Sequence, residues 1–393
     1  MRVTIGFTPR ERFSLAGESL QRLFDCTEVP FRLIVVDANT PEPYRQQMQR
    51  VLDGRDNVEV IRTDGYLRPS ESKNLVVAGA EGDYLCLIEN DVLVQDGWLP
   101  RLIAACEEHP ADVAVPLIIE GPLGSGKVHF DDLLGSVRTV EGPRGPRLEI
   151  LPRSSEKERD HGAQRRTVEF MEQHCLLFRR SVFDRIGLFD EQLNTRDEID
   201  LSLALRHAGV PVVFEPECAV HYLPPYPPEP EELEFFLQRW DLDRAAASRE
   251  RIRDKWDLVE TPGDLGFVQD RNLIGQLHRV REELSGLAGP GDPIILVDQA
   301  QWLDSQVVEG LNIVPFLERK GQYWGAPPDD ETAIAELERL RRAGASFLAF
   351  AWFTYWWLTY YQDFADHLER FPRLLENDRL TVFDLRKPVD TPS

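Results

Sequence analysis

Through the first 120 positions, apolar and polar residues are grouped in alternating blocks. The stretches RVTIGF (2–7), FRLIVVDAN (31–39), NVEVIRT (57–63), DYLCLIEND (83–91) and DVAVPLI (112–118) read as strands. Between them lie helix-spaced segments: about Glu11 to Phe24, the residues after TPEP, SESKNLVVAGA (70–80) with Ser70 as its N-cap, and WLPRLIAACEEH (98–109). This strand–helix alternation predicts an α/β fold built on a mostly parallel sheet with helices on both faces. Ligands of such sheets bind beyond the carboxyl ends of the strands. Asp37 and the Glu89–Asp91 pair stand at such ends, so they should face one crevice.

From about Gly121 to Arg166 the pattern gives way to Gly, Pro and charge, which reads as either a surface excursion or a lid over an acceptor site. Regular structure resumes in VEFMEQHCLLFRR, followed by SVFDRIG with Ser181 as a cap. Residues 229–257 form a charged helical stretch, and the cluster GLAGPGDP marks a boundary. Beyond it, PIILVDQ, ETAIAELERLRRAG, SFLAFAW, WWLTYYQDFADHLERF and RLTVFDL read as strand, helix, strand, helix, strand. The expected division is a domain over 1–258, a helical linker over 259–291 and a small α/β domain over 292–393.

Composition narrows the partners. With 45 Lys and Arg against 68 Asp and Glu, the net charge is −23. Duplex nucleic acid and charge-driven docking on anionic lipid both call for clustered cations, so neither is expected. Cys26, Cys86, Cys106, Cys175 and Cys218 form no CxxC pair and read as buried, reduced thiols of a cytoplasmic protein. MRVTIGFTPR begins as a strand, without the apolar core of a signal peptide. FLAFAWFTYWWLTYY (347–361) falls short of the roughly 20 residues that span a bilayer and reads as a strand running into an aromatic helix, not a transmembrane segment.

The chemistry is concentrated in three acidic places. Asp37 follows LIVV. Glu89, Asn90 and Asp91 close the apolar run CLIENDVLV. Asp197, Glu198 and Asp200 crowd a helix start in TRDEIDLSLALRHAG, with His221 downstream in PVVFEPECAVHYLP. A carboxylate taken out of water must be paired, hydrogen-bonded or bound to metal. Two carboxylates two places apart, with a distant histidine, suit a hard divalent cation whose remaining ligands are phosphate oxygens. No glycine-rich phosphate loop stands in the right context to meet that charge instead. Simpler readings exist: Asp91 and Asp37 as turn formers, Asp197 and Glu198 as helix-dipole partners, Trp240 and Trp256 as core instead of sugar platforms, and His174 as either a core histidine or, by position, one near the donor side.

In their order, these segments resemble the family 2 glycosyltransferases of GT-A fold over residues 1–223. VTIGFTPRER, LIVVDANT, SESKNLVVAGAEGDYLCLIENDV and CLLFRRSVFDRIGLFDEQLNTRDEIDLSLALRHAGVPVVFEPECAVHY carry the resemblance. It implies a metal-dependent enzyme that moves a sugar from a nucleotide-diphosphate donor, with UDP favoured, to an acceptor hydroxyl with inversion. Thr8, Pro9, Glu11 and Asp37 would then line the base and ribose, and Lys73 and Asn74 would lie beside the donor. Glu89 and Asn90 would hold ribose or sugar within the D-x-D position, while Asp91 and His221 would bind Mn²⁺ or Mg²⁺. Asp197 and Glu198 would supply the base. Here the motif is Glu-Asn-Asp instead of Asp-x-Asp, and the catalytic pair is Asp-Glu instead of Glu-Asp. Glu198 takes the base position by register, but Thr195 three residues earlier suggests a capping box that would occupy it, which keeps Asp197 open.

The acceptor implied is a glycan, a lipid-linked species or a small molecule, and a homo-oligomer is compatible with the sequence. The C-terminal unit resembles a small α/β module found beside bacterial transferases. Its Trp352, Trp356, Trp357, Tyr360 and Tyr361 read as core or as sugar platforms. Two rival readings are a sugar nucleotidyltransferase, for which FTPRERFSLAG is a poor phosphate loop, and a non-catalytic nucleotide-sugar or glycan-binding scaffold.

Overall fold

A computed structural model describes residues 2–124, 126–130, 136–143, 145–151, 164–224, 228–261, 265–302 and 306–386. The chain divides into two compact units, Met1–Asn272 and Leu273–Ser393.

The first unit opens with β1 (Val3–Thr8), α1 (Ala16–Asp25), β2 (Phe31–Ala38), α2 (Glu42–Leu52), β3 (Val58–Thr63), α3 (Pro69–Gly79), β4 (Tyr84–Glu89), β5 (Val92–Leu93), α4 (Trp98–Glu108) and β6 (Val113–Glu120). Next come β7 (Lys127–Phe130), the hairpin β8 (Ser136–Gly142) and β9 (Gly145–Leu151), β10 (Arg166–Val168), β11 (Cys175–Arg179), α5 (Phe183–Ile186), α6 (Asp197–His207) and β12 (Val212–Tyr222). Helices α7 (Leu233–Arg239) and α8 (Leu242–Trp256) follow, and α9 (Gly266–Leu287) begins in this unit and ends in the second. The main sheet runs β10-β12-β6-β11-β4-β1-β2-β3, with β5 on β12 and β7 on β6. Its β4-β1-β2-β3 portion and the β6–β12 pair are parallel, whereas β11 runs antiparallel between β4 and β6. Part of the segment expected to be a loop or lid is therefore strand, and its residues 125, 131–135, 144 and 152–163 lie outside the described residues.

Register explains how the acidic motif reaches its place. Leu85, Cys86, Leu87 and Ile88 of β4 are each at most 1% exposed, and burying a Leu or Ile side chain contributes about 1.5–3 kcal/mol. The same strand must then deliver Glu89 into the interior. Thr8 of β1 pairs in register with Glu89, and the Glu89 N–H donates to the His174 carbonyl at 3.0 Å on the other side. Three chain segments, from β1, β4 and the lead into β11, thus converge at one point. Helix α3 lies close over β1, because a Cβ on Gly6 would stand 2.2 Å from Val76 Cγ1.

Two expected caps form differently. Helix α3 is capped at Arg68, whose N–H donates to Glu71 at 2.6 Å, while the buried Ser70 hydroxyl has no partner. Proline at the first helical position, Pro69, shifts the start one residue ahead of Ser70. Ser181 sits inside a single 3-10 turn, Arg180–Val182, that leads into α5, so it is not that helix's cap.

The second unit contains β13 (Pro293–Val297), β14 (Asn312–Pro315), the short pair β15 (Glu318–Arg319) and β16 (Gln322–Tyr323), and α10 (Asp330–Arg342). It is completed by β17 (Phe347–Ala351), α11 (Trp357–Tyr360), α12 (Gln362–Leu368), β18 (Arg373–Glu376) and β19 (Leu380–Asp384). Its sheet runs β14-β13-β17-β19-β18, parallel across the first three strands. Of its clustered aromatics, Trp357 and Tyr361 are core and Trp356 and Tyr360 are exposed. No helix among the described residues is long and apolar enough to cross a membrane.

Candidate active site

Glu89 is a heavily compensated buried charge. Arg10 Nη1 donates to both of its oxygens at 3.0 Å, Lys73 Nζ stands 3.4 Å away, and His174 Nδ1 lies 2.8 Å from Oε2. Burial pushes the Glu89 carboxyl up, but Arg10, Lys73 and His174 together hold it well below the usual carboxylate range. Lys73, itself 1% exposed, also donates to Gln173 Oε1 at 2.5 Å and to Asp197 Oδ2 at 2.9 Å. One buried ammonium therefore bridges the second and third acidic clusters.

Asp91 is the opposite case. It is fully buried and neither carboxylate oxygen has a hydrogen-bond partner. Burial and the nearby Glu89 and Glu11 carboxylates push its carboxyl well above the usual range. An orphaned buried carboxylate of this kind fits a divalent cation. Among the described residues, ligand atoms of Glu89, Asp91 and His174 lie within 4.8 Å of one another, as do those of His129, Glu172 and His174. His221 belongs to neither group. Its Nδ1 lies 3.0 Å from the Gly121 carbonyl, which leaves Nε2 as the nitrogen open to a ligand.

The remaining motif residues build the surroundings. Asn90 holds the preceding loop, accepting from the Arg10 N–H at 3.3 Å and donating to the Arg12 carbonyl at 2.5 Å. Glu11 accepts from the Tyr222 hydroxyl at 2.7 Å and from Arg10 Nε at 3.3 Å. Thr8 and Pro9 are buried at the end of β1, the Thr8 carbonyl accepting from the Asn90 N–H at 2.9 Å. Asn74 is spent on architecture: its amide exchanges hydrogen bonds with both the N–H (2.9 Å) and carbonyl (3.0 Å) of Phe189. Asp37 stands apart. It accepts from the Thr40 N–H at 3.0 Å, pairs with Arg62 at 3.4 Å and lines a separate depression of about 260 Å³ with Arg45 and Arg62. Of the strand-end carboxylates, Asp37 lines this depression, whereas Glu89 and Asp91 do not.

A cavity of about 320 Å³ opens beside the buried acids, lined on one side by Arg10, Glu11, His174 and Tyr222 and by His129 of β7. The His174 and Tyr222 rings stack at 4.0 Å. Glu198 and Glu172 line it, whereas Asp197 does not. Helix α6 starts at Arg196 in a left-handed conformation (φ +62°) with no side-chain cap, and the Thr195 hydroxyl has no partner. The expected capping box is therefore absent, and Glu198 is half-buried on the cavity wall. Burial raises both neighbouring carboxyls, with different outcomes. Lys73, Arg10 and Arg239 bring Asp197 below its usual value, whereas Glu172 and Asp197 help carry Glu198 up to about 7.

Sequence reasoning did not single out Arg10, Gln173, Glu172, His129, Tyr222 or Arg239. Arg10 and the Glu172-Gln173-His174 run flank motifs that were read, so strand register is the signal that would have found them. His174, open between core and donor side, sits against Glu89. Trp240, read as core, is buried but also lines the cavity.

Sheet, strand-end carboxylates and cavity define the class: an α/β domain with a mostly parallel sheet and buried acidic residues at its strand ends. Residues 11–187, a little under half of the chain, match the family model "Glycosyl transferase family 2". The chain is 23% identical over 189 residues to a pre-mycofactocin glycosyltransferase of Mycobacterium tuberculosis, covering 48% of this chain and 37% of that protein. It is 26% identical over 196 residues to the uncharacterized protein y4gI of Sinorhizobium fredii, covering 49% and 21%. The chain thus spans between a fifth and two fifths of the length of these relatives. Among solved structures, GalNAc-T7 with UDP, GalNAc and Mn²⁺ aligns at TM-score 0.46 and 15% identity, covering 70% of this chain and 54% of that one. S. aureus TarS 1-349 with UDP-GlcNAc aligns at 0.44 and 13%, covering 72% and 81%.

Proposed function

We propose that the protein transfers a sugar from a nucleotide-diphosphate donor, a UDP-sugar by preference, to an acceptor hydroxyl in a single inverting displacement. The observation that carries this is one juxtaposition: an orphaned, buried Asp91 carboxylate behind a cavity on which Glu198 stands uncommitted. The family match of residues 11–187 supports the reaction class.

Asp91 would hold Mn²⁺ or Mg²⁺, with His221 Nε2 or His174 as the nitrogen ligand. The cation would supply neutralising charge for the diphosphate leaving group. Thr8, Pro9, Glu11 and Asp37 would border the nucleoside, Asp37 in its own depression at the end of β2. Glu89, fixed by Arg10, Lys73 and His174, would present a carboxylate of settled charge to ribose or sugar hydroxyls, with Asn90 keeping the Arg10–Arg12 loop in place. Lys73 positions rather than reacts, since it ties Asp197 to Glu89, and Asn74 holds the Phe189 loop. Glu198 is the base, because Asp197 is occupied by Lys73 and does not line the cavity. A carboxylate with affinity for protons near neutrality accepts one from an attacking hydroxyl more readily than an ordinary surface carboxylate does. Five buried, unbridged cysteines favour a reducing compartment.

Thermal unfolding against a panel of nucleoside diphosphates, with and without Mn²⁺, tests the reading. Ligand binding to the native state raises stability by about 2.7 kcal/mol at a hundredfold excess over Kd. A metal-dependent shift with UDP that is lost in Asp91→Ala is expected. The absence of any nucleotide effect with metal present would overturn the proposal.

A further inference from the structure

The cavity wall carrying Glu198 is built by residues beyond the span of the family match, and it has an unmet need. Thr195 and Arg196 lead into α6, Arg239 and Trp240 end α7, and Phe267 and Arg271 lie on α9. Three donors here have no partner: Thr195 Oγ1, Arg239 Nε and Trp240 Nε1. Their residues are 1%, 4% and 2% exposed. A buried donor without an acceptor is an uncompensated cost, and three on residues lining one cavity point to a missing acceptor group.

Charge says which kind. The Arg239 guanidinium makes one hydrogen bond, from Nη1 to the Asn194 carbonyl, and stacks 4.5 Å from the Trp240 ring centroid. None of the described carboxylates forms an ion pair with it. Arg271 stacks on the same indole at 4.7 Å and on Phe267 at 5.6 Å, where Arg196 also stacks at 5.3 Å. Guanidinium planes fixed against aromatic faces are preorganised to bind a planar or tetrahedral oxyanion through paired N–H groups.

Resting on the glycosyltransferase reading above, we propose that the Thr195–Arg239–Trp240 wall, with Arg196 and Arg271, binds an anionic group of the acceptor. The acceptor is thereby a hydroxyl compound that carries a carboxylate or phosphate. The donor's diphosphate is the other possible source of such an anion. The geometry favours the acceptor, because Asp91 and Glu89 do not line this cavity whereas Glu198 does, two residues from Arg196. Base and anion anchor share one wall, so a molecule held by its anionic end presents a hydroxyl to Glu198.

The test is calorimetric titration of the full chain, loaded with UDP and Mn²⁺, with glucuronate, inorganic phosphate and neutral glucose. One or both anions are expected to bind, and glucose more weakly. Trp240→Phe, which deletes the indole N–H while keeping an aromatic ring, and Thr195→Val should each weaken anion binding by roughly tenfold or less, and Arg239→Met by more. UDP affinity should stay within about twofold in all three, with circular dichroism confirming the fold. Anion binding that is absent, or indifferent to these substitutions, overturns the proposal. So does an anion displaced by UDP together with a loss of UDP affinity in Arg239→Met, which would assign the wall to the donor and leave the transferase reading intact. Should UDP not bind at all, the transferase reading fails separately, and the same anion titrations on the unloaded chain still decide whether the wall binds anions.

Discussion

Asp197 and Glu198 are neighbours of like chemistry, yet the structure gives them opposite characters. Lys73 is aimed at Asp197 and neutralises it, so its proton affinity is low. Glu198 meets burial, Glu172 and Asp197 without a cation of its own, and its carboxyl rises from 4.5 to about 7. This argues for a rate that climbs with pH through about 7, where Glu198 becomes able to accept a proton. Stability should run the other way. Because the folded state holds this proton more tightly than the unfolded chain, Glu198 contributes stability at low pH that is lost as pH rises from 4.5 towards 7. Glu198→Gln is expected to lower turnover by about 10²–10⁴-fold and to flatten that part of the stability profile. A pH–rate series paired with chemical denaturation at each pH checks both. An unchanged turnover would pass the role of base to another group.

The precision of the site depends on how closely α3 lies on β1, since α3 carries Lys73 and β1 leads to Arg10. At Gly6 the backbone approach leaves no space for a Cβ, the nearest atom being a branched, buried Val76 carbon rather than a flexible tip. Gly6→Ala should therefore cost about 1–3 kcal/mol and lower turnover by displacing Lys73, whereas pairing it with Val76→Ala should recover part of both. Equilibrium unfolding of the single and double variants reads this out, and full additivity would refute the account. Element by element, the strands and helices of the first 120 residues were legible because apolar runs and helical spacing report burial directly. The acidic motifs were legible because charge at the end of a buried strand requires a reason. Hidden from the sequence were facts that exist only in register. His174 faces Glu89 because β11 runs antiparallel to β4, and Asn74 clamps Phe189, 115 positions away. The capping box at Thr195 was a sound local pattern, but the left-handed Arg196 and the pull of Lys73 on Asp197 override it.

Considered whole, the protein presents a contradiction that should be measurable. Its net charge is −23, yet its candidate substrates are anions and its cavity wall is studded with arginines. At long range, a nucleotide-sugar or an anionic acceptor approaches a like-charged body and is repelled. At short range, inside the cavity, it meets the guanidinium groups of Arg10, Arg196, Arg239 and Arg271. Salt acts on these two regimes unequally. Screening over about 10 Å at 0.1 M ionic strength removes the repulsion between separated charges, but barely reaches contacts that are buried. For most steered encounters between opposite charges, added salt slows association. Here the sign should invert: raising ionic strength from about 0.01 to 0.1 M is expected to increase kcat/KM for a UDP-sugar at fixed Mn²⁺, with kcat little changed. Stopped-flow binding of a fluorescent UDP analogue across a salt series isolates the association rate. A fall in that rate with salt would mean that the arginine wall, not the net charge, governs the approach.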